Sequence, residues 1–206
     1  MGRYTGPRNK IARRFGVNLG LKTNPAKVAR RLKQPPGAHG PTKRARVSSY
    51  GRQMMEKQKA KFMYGARERQ FRRYVDDAVR EGGDSGVNLL RLLERRLDNV
   101  VYRLGIADTR AQARQFVGHA MFTVNGRNMN IPSYLVRVGD VVALKDSKKK
   151  KKIFDALAEK LSKKEMPSWL SFDLSVMAGK ALNLPDEKDF EKIFDVRPII
   201  EYYSSR

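Results

Sequence analysis

The chain has 206 residues, of which 40% are hydrophobic, enough for one or two modest cores. Its 44 lysines and arginines outnumber 21 acidic residues and give a net charge of +23. Such an excess repels itself in a compact body, so a polyanionic partner is implied: RNA, DNA, an anionic membrane or an acidic protein. No apolar run of about 18 residues is present, and no signal pattern, so we expect a cytoplasmic protein without a membrane span. Because cysteine is absent, disulfides and thiolate metal sites are excluded.

Residues 1–47 are predicted to form a basic, extended N-terminal arm. The first acidic residue of the chain is Glu56, and the segment is rich in Gly and Pro without a long 3.6-residue apolar period. Alone, it cannot bury enough surface to offset its chain entropy. Apolar residues such as Phe15 and Leu32 are mixed among the charges, which favours an arm ordered by its partner over a solubilising tail.

Two helices are predicted next, followed by a domain boundary. A helix from about Ser48 to Tyr64 stops at Gly65, and a second helix covers about 66–81. The apolar stripe of the second helix contains Phe71, Tyr74, Val75 and Ala78. The Gly-rich run at 82–86 reads as a linker, so a helical domain is predicted over 48–87.

A compact module follows the linker. Apolar residues between Leu89 and Leu104 repeat at helical spacing, which predicts one helix, and Thr109 begins another with a capping box. The pattern then changes to strands at 121–124 and 127–131, joined by the hairpin signal Asn125-Gly126. Further strand is predicted at 134–138 and 141–144, and a helix at 153–164. The predicted fold class is α+β.

Arginines lie on both predicted helices of the module. The first helix carries Arg91, Arg95 and Arg103 on roughly one side, and the second carries Arg110 and Arg114 on one face. Arginine beside the free backbone N–H groups of a helix start suits a phosphate. The alternative is a solvated face paired to Glu94, Asp98 and Asp108. Since these acids cannot neutralise the whole set, phosphate contact is favoured.

Several blocks of the sequence resemble one family. Residues 94–127 (ERRLDNVVYRLGIADTRAQARQFVGHAMFTVNGR) resemble the small RNA-binding module of ribosomal protein S-four, which some pseudouridine synthases and tyrosyl-tRNA synthetases also carry. The same ribosomal protein is similar in order and spacing at 1–16, 35–41, 50–74, 166–170 and 199–206. The chain is therefore identified as a member of the small-subunit ribosomal protein S-four family, in a cysteine-free form.

The resemblance implies an architecture and a set of partners. The module, with its extension over 88–185, would have two to three helices on a mostly antiparallel sheet and interrupt a helical domain, to which 186–206 return. The family is expected to bind the five-prime domain of small-subunit ribosomal RNA and to nucleate assembly. It is also expected at the messenger entrance, where it contributes to translational accuracy beside the third and fifth small-subunit proteins. No membrane or second copy is expected.

The resemblance also bears on metal binding. Many members hold zinc through cysteines of the arm, but this chain has Asn9 and Ala12 at the positions aligned with the first two. No metal and no cofactor are therefore expected.

The residues expected to contact RNA are basic, with one asparagine. They are Arg3, Arg8, Arg13 and Arg14 in the arm; Arg52, Lys57, Lys61, Arg69, Arg72 and Arg73 on the helices; and Arg95, Arg110, Arg114, Asn125 and Arg127 in the module. By resemblance, Lys43, Arg44 and Arg46 would hold incoming messenger RNA. Tyr4, Tyr50 and Tyr64 would either stack on bases or pack against helices. The run Lys148–Lys152 is either a phosphate contact or a solvated loop.

Two other functions compete with this interpretation. An RNA-modifying enzyme would need a further catalytic domain, and the two histidines, His39 and His119, are isolated in sequence. No GxxxxGK[ST] loop is present, so no catalytic residue is expected. The alternative is a stand-alone RNA-binding chaperone or an accessory protein of RNA modification. A chaperone built on the module would be shorter and would not need the helices of 50–87. Residues 174–195 show no recognisable motif.

Overall fold

The chain forms two compact units in a computed structural model. The structure describes residues 4–40, 42, 46–155, 157–162 and 165–204. The first unit contains the chain up to Leu89 and the segment from Glu191 onward, and the second contains Leu90–Phe190.

The described part of the arm contains two short helices, α1 (Arg8–Phe15) and α2 (Pro25–Ala29), and is not extended throughout. Gly16 ends α1 in the left-handed conformation, and the Asn24 side chain accepts a hydrogen bond from the Lys27 backbone N–H at the start of α2. Both helices are shorter than the window in which an apolar period becomes visible. Their ends are defined by single residues, Gly16 after α1 and Asn24 before α2. The apolar period therefore does not predict these two helices.

The first unit is built on α3 (Ser49–Met63), α4 (Glu68–Arg80) and α10 (Arg197–Ser204). The two helices predicted after the arm are confirmed. Ser48 caps α3 by accepting from the Gly51 backbone N–H, and Gly65 follows with a φ of 60°. The C-terminal helix α10 packs mainly against α3. The core of this unit includes Ala60, Met63, Phe71, Val75, Ala78 and Ile199.

Helix α5 (Ser85–Glu94) begins in the first unit and belongs to the second from Leu90 onward. It is followed in the second unit by α6 (Leu97–Arg103) and α7 (Arg110–Gly118). The prediction of one continuous helix through Leu104 is wrong. The helix breaks at Arg95–Arg96, where Arg96 forms an isolated β-bridge with Leu135 and the Leu97 N–H donates to the Tyr134 carbonyl. The predicted start of α7 is confirmed, because the Thr109 hydroxyl accepts from the Gln112 N–H.

The sheet of the second unit has five antiparallel strands. They are β1 (Phe122–Val124), β2 (Arg127–Met129), β3 (Val141–Leu144), β4 (Leu170–Asp173) and β5 (Ala178–Ala181), in the order β2-β1-β3-β5-β4. Asn125 and Gly126 form the β1–β2 turn as predicted, both with positive φ. The strand expected at 134–138 is wrong, since only Leu135 makes a bridge there.

Two further helices, α8 (Asp146–Lys149) and α9 (Leu157–Ser162), lie between β3 and β4. The helix predicted to start at 153 starts at Leu157, after a short 3-10 turn at Lys152–Phe154. The core of this unit includes Leu97, Val101, Leu104, Val117, Phe122 and Trp169. The α+β class is confirmed. None of the helices in the described ranges has both the length and the apolar character needed to cross a bilayer.

Candidate nucleic-acid interface

One side of α4 presents arginines to solvent. Phe71, Tyr74, Val75 and Ala78 are buried on the opposite side. The α4 basic face consists of the exposed residues Arg69, Arg72, Arg73 and Arg80. Helical spacing also places exposed Asp76 and Asp77 on this side, so four arginines stand against two carboxylates. The face keeps a net positive charge, and guanidinium groups match the geometry of phosphate oxygens.

The arginines of α1 divide into two roles. Arg13 donates to the carbonyl oxygens of Gln34 and Pro35 at 2.9 and 3.1 Å, and Arg8 donates to the Leu21 carbonyl at 3.2 Å. These bonds tie α1 to later turns of the arm. Arg14, on the same helix, is exposed. Arg3 lies outside the described residues, as do Lys43 and Arg44, whereas Arg46 is described and exposed.

Two of the predicted RNA contacts on α3, Lys57 and Lys61, bind the carboxylate of Glu68. We call Glu68, Lys57, Lys61 and Tyr203 the carboxylate cluster. The Lys57 ammonium lies 2.7 Å from the Glu68 carboxylate and 4.3 Å from the Tyr202 ring centroid, and only 4% of Lys57 is exposed. Lys61 contacts the same carboxylate at 3.0 Å. The Tyr203 hydroxyl also donates to Glu68, at 2.7 Å. This geometry favours an internal role for Lys57.

The same cluster shifts two pKa values. Burial alone would raise the pKa of Glu68, but hydrogen bonds from Lys57, Tyr203 and Lys61 outweigh it and lower that pKa to about 2. Burial and the hydrogen bond to Glu68 raise the pKa of Tyr203. Glu68 therefore remains a carboxylate that joins α3, α4 and α10. Of the predicted contacts on α3, Arg52 remains exposed.

In the second unit, several arginines form a polar network instead of a solvated face. Fully buried Arg96 contacts Asp98 at 3.1 Å, and Arg114 contacts the same carboxylate at 3.0 Å. Arg103 makes two bonds of 2.8 Å to the Glu94 carboxylate. The pairing of arginines to Glu94 and Asp98, which is the alternative to phosphate contact, is therefore present.

Arg110 belongs to this network as well. Its Nε donates to the Asn99 side chain at 2.8 Å, and its guanidinium lies 4.5 Å from the Tyr102 ring centroid. Only 6% of Arg110 is exposed. Arg95 is half-buried and donates to the Val136 carbonyl. The network fixes α7 against α6, a role that the helical spacing of these arginines does not predict.

Two of the predicted RNA contacts, Asn125 and Arg127, lie in the β1–β2 hairpin and have different surroundings. The Asn125 amide donates to Asp140 at 2.8 Å, and its oxygen accepts from the Val141 N–H at 2.9 Å. Asn125 thus holds the β1–β2 turn against β3. Arg127, on edge strand β2, is exposed. Arg127 is therefore presented to solvent by the backbone that Asn125 fixes.

The three tyrosines considered for base stacking differ in their burial. Tyr64 is buried and meets the Phe194 ring edge-on, which favours packing over base stacking. Tyr4 and Tyr50 are 47% and 44% exposed, and each also contacts another ring, Tyr4 that of Phe62 and Tyr50 that of Tyr202. Within the ranges that the structure covers, no group of three or more potential metal ligands was found.

Comparison with known proteins connects these features to one family. Residues 3–94 match the family described as Ribosomal protein S4/S9 N-terminal domain, and residues 95–142 match the family described as S4 domain. The small ribosomal subunit protein uS4 of Roseiflexus castenholzii is 47% identical over 207 residues, covering 99% of this chain and all of that protein. The uS4 proteins of Leptothrix cholodnii and Herpetosiphon aurantiacus are 49% and 48% identical, with the same coverage of both chains.

The chain belongs to the uS4 family.

The uS4 family assignment confirms the resemblance drawn from the sequence blocks. The second of the two matched family ranges ends at residue 142, before α8, β4, β5, α9 and α10. The likeness of these later elements to uS4 comes from the relatives that align over the full length. The assignment also supports the prediction that the chain is not an enzyme, because the uS4 relatives are named as proteins of the small ribosomal subunit.

Proposed function

We propose that this chain is a structural protein of the small ribosomal subunit in the cytoplasmic ribosome, where it binds small-subunit ribosomal RNA. The observation that carries the proposal is the full-length likeness to uS4 proteins, at 47% identity with the Roseiflexus relative. The net charge of +23 supplies the attraction that a polyanion requires. The S4 domain match at 95–142 agrees with RNA as that polyanion.

Binding is expected to rely on phosphate positions and the shape of the RNA. An A-form major groove is too deep and narrow for side chains to read, so contacts go to phosphates and 2′-hydroxyls. The α4 basic face in the first unit and Arg127 in the second expose guanidinium groups for such contacts. Arg14, Arg46 and Arg52 add three exposed charges. Arg3, Lys43 and Arg44 remain predicted contacts.

Some of the predicted RNA contacts form bonds within the protein, and in this proposal they support the fold of the interface. Lys57, Lys61, Arg110 and Arg114 position helices through internal ion pairs and hydrogen bonds. Their indirect effect on RNA binding would come through the placement of α4 and α7. Arg8, Arg13 and Asn125 likewise hold backbone segments, by the hydrogen bonds described above.

The finer assignment within the ribosome is also a proposal. We expect the five-prime domain of the ribosomal RNA as the target and early binding as the step at which the subunit body is nucleated. The exposed Arg46, with Lys43 and Arg44, would meet messenger RNA at the entrance. The third and fifth small-subunit proteins would be neighbours, and these contacts would influence translational accuracy.

A substitution series on α4 tests the RNA contact. Replacing Arg69, Arg72 and Arg73 together by Gln removes three exposed charges without disturbing the buried side of the helix. If all three meet phosphate, the slope of log affinity against log salt becomes less steep by about 2. The matched control replaces the same three residues by Lys, which keeps the charge and should keep most of the slope.

The readout is filter binding to the five-prime domain of small-subunit ribosomal RNA. Thermal unfolding checks that both variants retain the wild-type stability, which we expect because these side chains are exposed. Wild-type affinity and slope in the Gln variant would remove the α4 basic face from the interface. Failure of the wild-type chain to travel with the small subunit at high salt would refute the ribosomal assignment itself.

A further inference from the structure

A cleft of about 410 Å³ lies in the second unit, and the arginines of the polar network do not line it. Its walls come from the C-terminal end of α7, the residue before β1 and the segment from α8 to the following 3-10 turn. Gln115 and His119 of α7 line one part, and Lys148 and Lys151 line the other. All four are at least partly exposed. The cleft therefore has a polar and cationic rim.

The floor of the cleft is apolar. Phe116 and Met121 are mostly buried but reach the cleft, and Ile153 is 52% exposed beside them. Phe116 is fixed by an edge-on contact with Phe154, at 5.7 Å between ring centroids. A half-exposed isoleucine next to an aromatic ring leaves apolar surface for a ligand to cover.

The lysines of the 148–152 run are not equivalent. Lys148 and Lys151 are three residues apart and line the cleft. Lys149 instead forms an ion pair with Asp146 at 2.7 Å, and Lys150 and Lys152 are exposed and do not line the cleft. A run that is uniform in sequence is thus divided by the fold into two cleft lysines and three others.

We propose that this cleft binds one unstacked nucleotide of single-stranded RNA, an inference that rests on the proposed RNA-binding function. The phosphate would lie between Lys148 and Lys151, and the base would cover Phe116, Met121 and Ile153. Gln115 offers an amide donor and acceptor to the polar edge of the base. The volume lies within the range of small-ligand sites, which is about 300–1,000 Å³.

Other anionic ligands match the cleft less well. A lone phosphate would leave the apolar floor uncovered, and an acidic peptide side chain has no flat apolar surface to place on it. In duplex RNA the bases are paired and stacked, so only backbone would reach the rim. A base that is splayed out of a loop or a single strand combines a flat apolar face, a polar edge and a phosphate.

The test compares two double variants of the full-length chain. Lys148→Gln with Lys151→Gln removes the cleft lysines, and Lys150→Gln with Lys152→Gln removes the same charge from the same run outside the cleft. The probe is a short single-stranded oligouridylate with a fluorescent label, titrated at several salt concentrations. Thermal unfolding is measured for both variants, and we expect the wild-type midpoint because none of the four side chains is buried.

The cleft variant is expected to bind about tenfold more weakly, as two lost exposed ionic contacts would give. Its log–log salt slope should be less steep by about 1.4, the value for two contacts to a single strand. The control variant should stay near wild type. Equal losses in the two variants would overturn the proposal, because the run would then act only through its overall charge.

Methyl NMR locates the ligand. The Met121 and Ile153 methyl signals should shift on addition of the oligouridylate, and uridine 5′-monophosphate should shift the same signals more weakly. Tighter binding of the free nucleotide than of the oligouridylate would overturn the RNA assignment. Unmoved signals would overturn the site.

Filter binding of the five-prime ribosomal RNA domain to the wild-type chain separates this inference from the proposed function. If the wild type binds that RNA while the cleft and control variants are alike, only the cleft proposal fails. If the wild type does not bind, the proposed function fails.

Discussion

Substitution of Glu68 by Gln should destabilise the first unit, because this carboxylate joins α3, α4 and α10. The variant leaves the buried Lys57 ammonium, which is 4% exposed, facing a neutral amide. Removing one partner of a fully buried ion pair costs about 3–5 kcal/mol. Since 48% of the Glu68 side chain is exposed, solvent screening reduces this, and we expect a loss of about 1–2 kcal/mol at pH 7.

The effect should depend on pH in a defined direction. The folded-state pKa of Glu68 is lowered from 4.5 to about 2. A lowered folded-state pKa contributes stability that is fully present above pH 4.5 and is lost as the pH falls through 2. The difference in unfolding free energy between wild type and Glu68→Gln should therefore narrow within that window.

Urea unfolding followed by helical circular dichroism measures this difference at pH 7, 4 and about 2. The matched control is Asp76→Asn, which neutralises an exposed carboxylate on the same helix and should change stability by less than about 0.5 kcal/mol. If Glu68→Gln follows the wild-type curve at every pH, the carboxylate cluster does not contribute to stability and the argument is refuted.

Three further substitutions test the packing and turns, each by thermal and urea denaturation. Asn125→Ala should lower the free energy of unfolding by about 1–3 kcal/mol, because Asn125 has a φ of 50° and its side chain donates to Asp140. Wild-type stability would show that Asn125 does not hold the β1–β2 turn in place. Gly179→Ala should cost about 1–3 kcal/mol, because a Cβ would lie 2.5 Å from the buried side chain of Leu104; an unchanged midpoint would mean that Leu104 can move aside. Ser48→Ala should cost about 1 kcal/mol through loss of the α3 cap, and an equally stable variant would remove that capping bond from the account.

Local signals in the sequence predicted the parts of the fold that depend on neighbouring residues. The Thr109 cap, the Asn125-Gly126 turn and Gly65 each determine the backbone within a few positions, and each is found as predicted. The second bond of the predicted capping box differs, because the Gln112 side chain accepts from the Asp108 N–H and not from that of Thr109. The break at Arg96 was missed because the apolar period continues through it. The break depends on Leu135, which is distant in sequence, and no local pattern reveals such a pairing.

The strands β4 and β5 were missed for a different reason. The sequence of β5, AGKA, contains small residues with little intrinsic preference for strands. Its conformation follows from pairing with β3 and β4, and Gly179 lies where a larger residue would meet Leu104. Tertiary context determines this strand, so periodicity did not predict it.

The sequence predicts that basic residues form the candidate interface. It does not predict which of them are exposed and which form bonds within the protein. The α4 basic face follows from helical spacing, since most residues opposite its apolar stripe are arginines. The internal engagement of Lys57 and Arg13 was not foreseen, because their partners Glu68 and Gln34 lie 11 and 21 residues away. Lys57 shares the buried side of α3 with Ala60, and this helical register indicates its burial.

The central claim is that fixed, exposed positive side chains bind the phosphates of folded ribosomal RNA. The most direct measurement is filter binding of the purified full-length chain to the five-prime domain of small-subunit ribosomal RNA over a range of salt concentrations. Six neutralised phosphates predict a log–log slope of about −4 to −5. A slope near zero, or no binding at moderate ionic strength, would contradict the account.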